Sequence, residues 1–139
     1  FNPIPRILES QLLARSSLKI TSMIDISDGL AQDLHQICKQ SEAGAIIYEE
    51  KLPKSPAFSK VCTDNKLKYL PLILNGGEDY ELLFTLPPDG VKKLYRQFEK
   101  AKALVTHIGE ITKSSNKVSL VRKNGKREAL PKLSGFNHF

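Results

Sequence analysis

The chain lacks several features that common functional classes need. Its two cysteines, Cys38 and Cys62, have neither the spacing nor the neighbouring histidines that are typical of a zinc site. It contains no glycine-rich phosphate loop of the Walker type, Gly-x4-Gly-Lys-Ser/Thr. No apolar stretch approaches the ~20 residues that span a bilayer, and no charged-then-apolar signal segment opens the chain. These absences argue against a zinc protein, a Walker-type nucleotide-binding protein and a membrane-spanning protein.

The three histidines give no support to covalent nucleophilic catalysis. His35, His107 and His138 are scattered, and none has a nearby cysteine or serine arranged for nucleophilic catalysis. We therefore expect no covalent nucleophile in this chain. Cys38 is expected to be a small buried residue on the apolar side of a helix, and reduced thiols are typical of a cytoplasmic protein.

Length and pattern predict one compact domain over residues 1–139. With 40% hydrophobic and 26% charged residues, the chain can bury about two-thirds of its unfolded surface. Strands separated by helices, followed by a hairpin at the Asn124-Gly125 turn, predict an α/β (α+β) fold, a layered domain with a mixed sheet covered by helices. The segment 67–74 stays ambiguous because Pro71 argues against a regular central strand. The periodicity predicts helices over 5–14, 28–41, 55–65 and 91–101, and strands over 19–24, 45–49, 82–86, 104–111, 118–122 and 127–130.

The net charge of +6 leaves a basic RNA-binding module open as an alternative. The basic residues are spread along the chain, however, and many lie opposite the apolar stripe of the helix predicted over 91–101. A solvated helix face is the better explanation for them, and charged hairpin tips such as 122–127 are common. Nucleic-acid binding is therefore the weaker hypothesis.

Two acids and a hydroxyl lie close together where a predicted strand gives way to a predicted helix. The segment is Asp25-Ile-Ser-Asp-Gly-Leu30, and it follows an apolar, β-branched run. Carboxylates are hard oxygen donors suited to Mg²⁺, and helix-start N–H groups favour anionic oxygens. The alternative is that Asp28 or Ser27 simply caps the helix. A cap does not explain Asp25, since an unpaired charge at the end of an apolar strand is costly if it is buried.

A second acidic segment, residues 75–81, reads Asn-Gly-Gly-Glu-Asp-Tyr-Glu and leads into a predicted strand. Adjacent glycines let a backbone approach a ligand closely. The alternative interpretation is a turn whose acids are solvated.

Together the two segments resemble one family. Asp25-Ile-Ser-Asp-Gly-Leu-Ala-Gln-Asp-Leu34 and Gly76-Gly-Glu-Asp-Tyr-Glu-Leu-Leu-Phe84 are similar to signatures of thiamine-monophosphate kinase, in the aminoimidazole ribonucleotide synthetase-like superfamily. The opening Pro3-Ile-Pro-Arg6 and the closing Gly135-Phe-Asn-His-Phe139 are similar too. The resemblance implies the layered mixed-sheet fold of the superfamily's C-terminal domain. An ATP-dependent synthetase domain acting on another phosphate substrate is the related alternative.

The resemblance also implies site residues. Asp25 and Asp28 would bind Mg²⁺, Ser27 would contact the nucleotide, Glu78 would contact thiamine phosphate, and Phe136 would pack on the thiamine. The alternative for Phe136 is that it docks on the core of the domain as a residue near the end of the chain.

The resemblance implies longer proteins, whose N-terminal half carries most nucleotide and metal ligands. Because the chain begins at Phe1 with no initiator methionine, we expect it to be the C-terminal half of a two-domain kinase. The implied activity is phosphorylation of thiamine monophosphate by ATP to give thiamine diphosphate. The implied partners are the N-terminal half and, for the full-length protein, a second copy in a homodimer. The fragment alone should be inactive.

Overall fold

The structure is a computed structural model that describes residues 5–77 and 80–131. Its elements follow the predicted order closely. The helices are α1 (Ile7–Arg15), α2 (Leu30–Gln40), α3 (Pro56–Asp64), α4 (Tyr69–Asn75) and α5 (Val91–Lys100), with 3-10 turns at Glu49–Lys51 and Pro88–Gly90. The strands are β1 (Ser22–Asp25), β2 (Gly44–Tyr48), β3 (Leu82–Thr85), β4 (Gly109–Thr112), β5 (Val118–Val121) and β6 (Arg127–Ala129). None of the helices in these two ranges is both long and apolar enough for a bilayer.

The strands form two sheets rather than one. β1 and β3 pair antiparallel as a two-stranded ribbon. The other four strands lie in the order β4-β2-β5-β6, with β2 parallel to β5 and the outer pairs antiparallel. This sheet is mixed, which confirms the predicted fold class. The separate β1–β3 ribbon was not predicted, because strand order cannot be read from apolar patterns alone.

Helix α2 lies at the centre of the main core. Its buried face includes Leu34, Ile37 and Cys38, which pack with residues of β2, β5 and α4. A smaller core, formed by Leu13, Leu94 and Phe98, joins α1 to α5 beneath β3. The buried, free thiol of Cys38 agrees with its predicted packing role. The α2 face is therefore set by the apolar period of its sequence, and it fixes where the β1–α2 connection lies.

Three local differences have physical explanations. The ambiguous segment is a helix, α4, which tolerates Pro71 in its first turn because N–H groups there have no intrahelical acceptor. The predicted strand over 104–111 begins only at Gly109. The residues before Gly109 do not share one face, since Val105 packs on the smaller core while Leu104 is 93% exposed. The β5–β6 hairpin is present, but its loop spans residues 123–125, because Arg122 N–H bonds Lys126 O at 2.8 Å.

Candidate functional site

The first acidic segment lies where the sequence places it, between the end of β1 and the start of α2. Asp25 is the last residue of β1, and Leu30 is the first of α2. The side chains of Asp25, Ser27 and Asp28 are exposed. The cap interpretation is wrong, because Gly29 is the N-cap residue and no side chain caps α2. Asp25 is not a buried charge either, since its carboxylate lies at the surface.

The second acidic segment runs directly alongside the first. Asp25 is paired with Leu82 in the β1–β3 ribbon. The hydrogen bonding continues past the strand ends, where Ile26 N–H donates to Glu81 O at 2.8 Å and Tyr80 N–H donates to Ile26 O at 3.0 Å. Tyr80 has a left-handed φ of 51°, a conformation that costs a non-glycine residue energy and is found at functional sites. The two segments therefore form one backbone unit.

Two glycines permit the close approach of these segments. A Cβ on Gly77 would lie 2.6 Å from the carbonyl oxygen of Ser27, closer than carbon and oxygen can pack. Gly29 has φ +106°, and a Cβ there would lie 3.1 Å from backbone atoms of Leu74 and Asn75. Gly77 in the second signature and Gly29 in the first are thus required by the close approach of the backbones.

The buried carboxylate of Asp33 hydrogen-bonds to the backbone of the first segment. Asp33, in the first turns of α2, is 1% exposed. Its Oδ2 accepts the N–H of Ser27 at 3.0 Å and that of Asp28 at 3.2 Å. Burial raises the pKa of the Asp33 carboxyl, the two N–H donors lower it, and the negative charges of Asp28 and Asp25 raise it further. Asp33 therefore lies in a group of three acids.

Sequence reasoning assigned no role to Asp33. The sequence does indicate that Asp33 is unusual, because it falls on the same side of the helix as Leu30, Leu34 and Ile37. A carboxylate within an apolar stripe is expected to have a specific partner.

An exposed ion pair ties α1 to the second segment. The guanidinium of Arg6 donates to both carboxylate oxygens of Glu81, with Nε–Oε2 at 3.0 Å. It also lies 3.4 Å from Glu9. The Glu81 hydrogen bond raises the pKa of Arg6. An exposed pair of this kind contributes little stability, about 0–1 kcal/mol, but it links the Glu81 side chain to the residue that precedes α1.

Asp25 and Asp28 have the chemistry expected of magnesium ligands. Both are exposed, and in ranges 5–77 and 80–131 neither carboxylate takes part in an ion pair. Magnesium typically binds one or two protein carboxylates together with water and substrate phosphates. Within the described part of the chain, no three histidine, cysteine or acidic side chains cluster as a metal site. These residues therefore fit a partial magnesium site; Glu78 and Phe136 lie outside the described residues.

Asp25, Ser27 and Asp28 lie on the surface of the described part of the chain. Clefts of about 400 and 210 Å³ lie instead beside Tyr69. Neither is lined by Asp25, Ser27 or Asp28. The first cleft is lined by Glu49, Lys68, Tyr69, Leu70, Pro71 and Arg122.

The chain is similar in sequence and in fold to known proteins. A thiamine-monophosphate kinase of Buchnera aphidicola subsp. Schizaphis graminum (strain Sg) is 42% identical over 139 residues, covering 99% of this chain and 40% of the relative. The crystal structure of thiamine-monophosphate kinase from Stenotrophomonas maltophilia K279a matches with a TM-score of 0.76 and 29% identity, covering 89% of this chain and 36% of that one. AaThiL, solved in complex with AMPPCP and TMP, matches with a TM-score of 0.67 and 31% identity, covering 86% and 34%.

These matches confirm the resemblance predicted from the two signatures. The chain spans about 40% of the length of the curated relatives that it matches. The family model described as AIR synthase related protein, C-terminal domain, matches residues 4–122. The chain belongs to this family of AIR synthase related C-terminal domains.

Proposed function

We propose that this chain is the C-terminal domain of an ATP-dependent kinase that phosphorylates thiamine monophosphate to thiamine diphosphate. The observation that carries the proposal is the backbone contact between the two signature segments, where Gly77 packs on the carbonyl of Ser27. The 42% identity to a thiamine-monophosphate kinase supports the reaction. The structure of AaThiL with AMPPCP and TMP, at 31% identity, supports the two substrates.

The described residues have separate roles in this proposal. Asp25 and Asp28 would hold Mg²⁺, since both are exposed and hard oxygen donors. Bound magnesium would neutralise phosphate charge and align the reacting groups. The Ser27 hydroxyl, between the two acids, would hydrogen-bond a phosphate or ribose oxygen of the nucleotide. We also propose that Glu78 orients thiamine monophosphate and that Phe136 packs on its thiamine, an aromatic contact of about 1 kcal/mol.

The reaction needs positioning more than proton transfer. The attacking oxygen belongs to a phosphate and is already anionic, so a strong general base is unnecessary. The main obstacle is repulsion between two polyanions, and catalysis of phosphoryl transfer depends on charge neutralisation and in-line alignment. The backbone unit formed by the two segments supplies a fixed frame for that alignment, because Ile26 bonds both Tyr80 and Glu81.

We further propose that an N-terminal domain completes this site. The open surface around Asp25 and the partial ligand set support this arrangement, as does the coverage of about 40% of the relatives' length. The isolated chain would then be inactive. The homodimer remains a prediction from the family resemblance. A cytoplasmic location is proposed from the free thiols of Cys38 and Cys62, which are typical of a reducing compartment.

The full-length protein tests the proposal directly. Purified enzyme is supplied with ATP, Mg²⁺ and thiamine monophosphate, and the products are separated by chromatography. We expect thiamine diphosphate and ADP to form in equal amounts, with no turnover by residues 1–139 alone. If the full-length enzyme ignored thiamine monophosphate but phosphorylated another small molecule, the substrate assignment would be wrong.

A further inference from the structure

Asp33 is an acid placed where an apolar residue would pack more easily. It is 1% exposed and lies among the buried residues of α2. Burying a carboxylate is costly unless hydrogen bonds or opposite charges compensate. In the part of the chain that the structure describes, Asp33 has no cationic partner; its hydrogen-bond donors are the backbone N–H groups of Ser27 and Asp28. Its compensation therefore comes from the loop that carries the candidate ligands.

The contact of Asp33 is directed at the loop rather than at its own helix. A helix-capping acid precedes the helix and accepts from first-turn N–H groups. Asp33 does the reverse, since it lies inside α2 and accepts from two residues that precede the helix. Its own N–H makes the ordinary helical bond to Gly29 O at 3.0 Å. Formation of α2 thus leaves the carboxylate available to fix Ser27 and Asp28.

We propose that Asp33 is a positioning residue for the magnesium-binding loop. Its carboxylate fixes the backbone from which the Asp28 carboxylate and the Ser27 hydroxyl project, so that magnesium and nucleotide meet a preorganised loop. Groups that orient metal ligands typically change metal affinity or activity by about 10–100-fold when they are replaced. This inference rests on the proposed function, since it requires Asp25 and Asp28 to bind the metal.

The test compares three variants of the full-length enzyme. Asp33→Ala removes the acceptor, whereas Asp33→Asn retains an oxygen that can accept the same N–H groups but removes the charge. Leu34→Ala is the matched control, because Leu34 is the next residue of α2, is buried in the main core and makes no bond to the loop. Binding of Mn²⁺ in the presence of AMPPCP is measured by electron paramagnetic resonance. Hydrogen exchange of the segment 26–29 is measured by mass spectrometry.

We expect Asp33→Ala to weaken Mn²⁺ binding by at least about 10-fold and to accelerate exchange at Ser27 and Asp28 by a similar factor. Asp33→Asn should retain most exchange protection and bind Mn²⁺ within about threefold of the wild type, because one oxygen can accept both donors. Leu34→Ala should lower the melting temperature without changing Mn²⁺ affinity by more than about twofold.

Three results would overturn the inference. Asp33→Ala could bind Mn²⁺ normally, or Leu34→Ala could weaken binding equally, which would indicate general destabilisation. Asp33→Asn could lose Mn²⁺ affinity while keeping exchange protection, which would indicate that charge acts instead of position. Each result leaves the proposed function standing if the wild type is an active thiamine-monophosphate kinase. A wild type without that activity would instead refute the proposed function.

Discussion

Two carboxylates are buried in the described part of this domain, and they lie in opposite electrostatic surroundings. Glu49, 4% exposed, follows β2, and Asp33, 1% exposed, lies in α2. Glu49 accepts the hydroxyl of Tyr69 at 2.5 Å, Nε of Arg122 at 2.9 Å and N–H of Lys123 at 3.1 Å. Asp33 accepts two backbone N–H groups and is close to two other acids. Glu49 thus has a cationic partner, whereas among the described residues Asp33 has only backbone donors.

The pKa directions follow from these surroundings. The Tyr69 hydrogen bond, with the Lys123 N–H and the charge of Arg122, lowers the pKa of Glu49 despite its burial. Burial raises the pKa of Asp33, and the charges of Asp28 and Asp25 add to that effect. Lysine ammonium groups lie over the Tyr69 ring, with Nζ of Lys54 4.2 Å from its centroid. Glu49 is therefore held in a hydrogen-bonded network with Tyr69 and Arg122 at the wall of the first cleft.

Structural acids and functional acids differ in whether a cation compensates their charge. An acid that is paired, hydrogen-bonded and close to a cation stabilises the fold without needing a ligand. A group of acids that lacks a cation carries unfavourable repulsion, and such perturbed groups are typical of functional sites. A bound divalent ion would relieve the repulsion among Asp25, Asp28 and Asp33. Substitutions around Asp25 and Asp33 should therefore change activity, whereas substitution of Glu49 should change stability.

The largest effect is expected from Asp25→Asn in the full-length enzyme. Loss of one metal-binding charge should lower kcat by at least about 100-fold, by analogy with the loss of electrostatic stabilisation in other active sites. The measurement is steady-state turnover of thiamine monophosphate across a range of Mg²⁺ concentrations. Asp64→Asn is the control, since Asp64 is an exposed acid of α3 paired with Lys60. Near-normal turnover of Asp25→Asn at saturating Mg²⁺ would show that Asp25 is not a metal ligand.

A smaller effect is expected from Gly77→Ala. The new Cβ would meet the Ser27 carbonyl at 2.6 Å, so the two segments must separate. Overpacking of this kind costs about 1–3 kcal/mol, and a displacement of reacting groups by 1 Å can lower the rate by up to about 100-fold. We expect kcat/KM to fall at least about tenfold. Gly90→Ala is the control, because its Cβ would meet only side-chain atoms, those of Leu86 and Leu18, and no backbone.

If Gly77→Ala retained full activity and stability, the close contact would be unnecessary for the site. If Gly90→Ala lost as much activity, the effect would not be specific to the two segments.

The sequence predicted the elements of the functional region well because local chemistry determines them. The apolar period of residues 30–38 defines the buried face of α2, and the β-branched run before Asp25 defines β1. The signature residues also predicted that segments 25–30 and 75–81 belong to one site. The structure shows that their backbones are in contact, while the ligand roles of Asp25, Ser27, Asp28, Glu78 and Phe136 remain predictions.

The sequence patterns do not determine which distant strands pair with each other. The separate β1–β3 ribbon depends on which strand edges meet, and apolar alternation does not specify an edge. The role of Glu49 depends on a donor distant in the sequence, since Arg122 lies 73 residues after it. The donors to Asp33 lie close in the sequence, six and five residues before it, but helical periodicity does not specify the conformation of the loop that presents them. Residues 104–108 do not form the predicted strand, because their apolar side chains contact different cores.

The smallest effect on activity is expected from Glu49→Gln, which tests the structural side of the comparison. An amide would place a donor against the donors Arg122 and Lys123, so the variant should lose about 1–3 kcal/mol of unfolding free energy while keeping kcat within about twofold. Because the folded pKa of Glu49 lies below its ordinary value of 4.5, its stabilisation is present above that pH and is lost as pH falls through the folded pKa. Denaturation at pH 7 and below pH 4.5 measures the difference, which should shrink in acid. Glu110→Gln is the matched control, since Glu110 accepts the Tyr48 hydroxyl at 3.2 Å on an exposed surface. An equal loss in both variants, independent of pH, would show that the buried network has no special role.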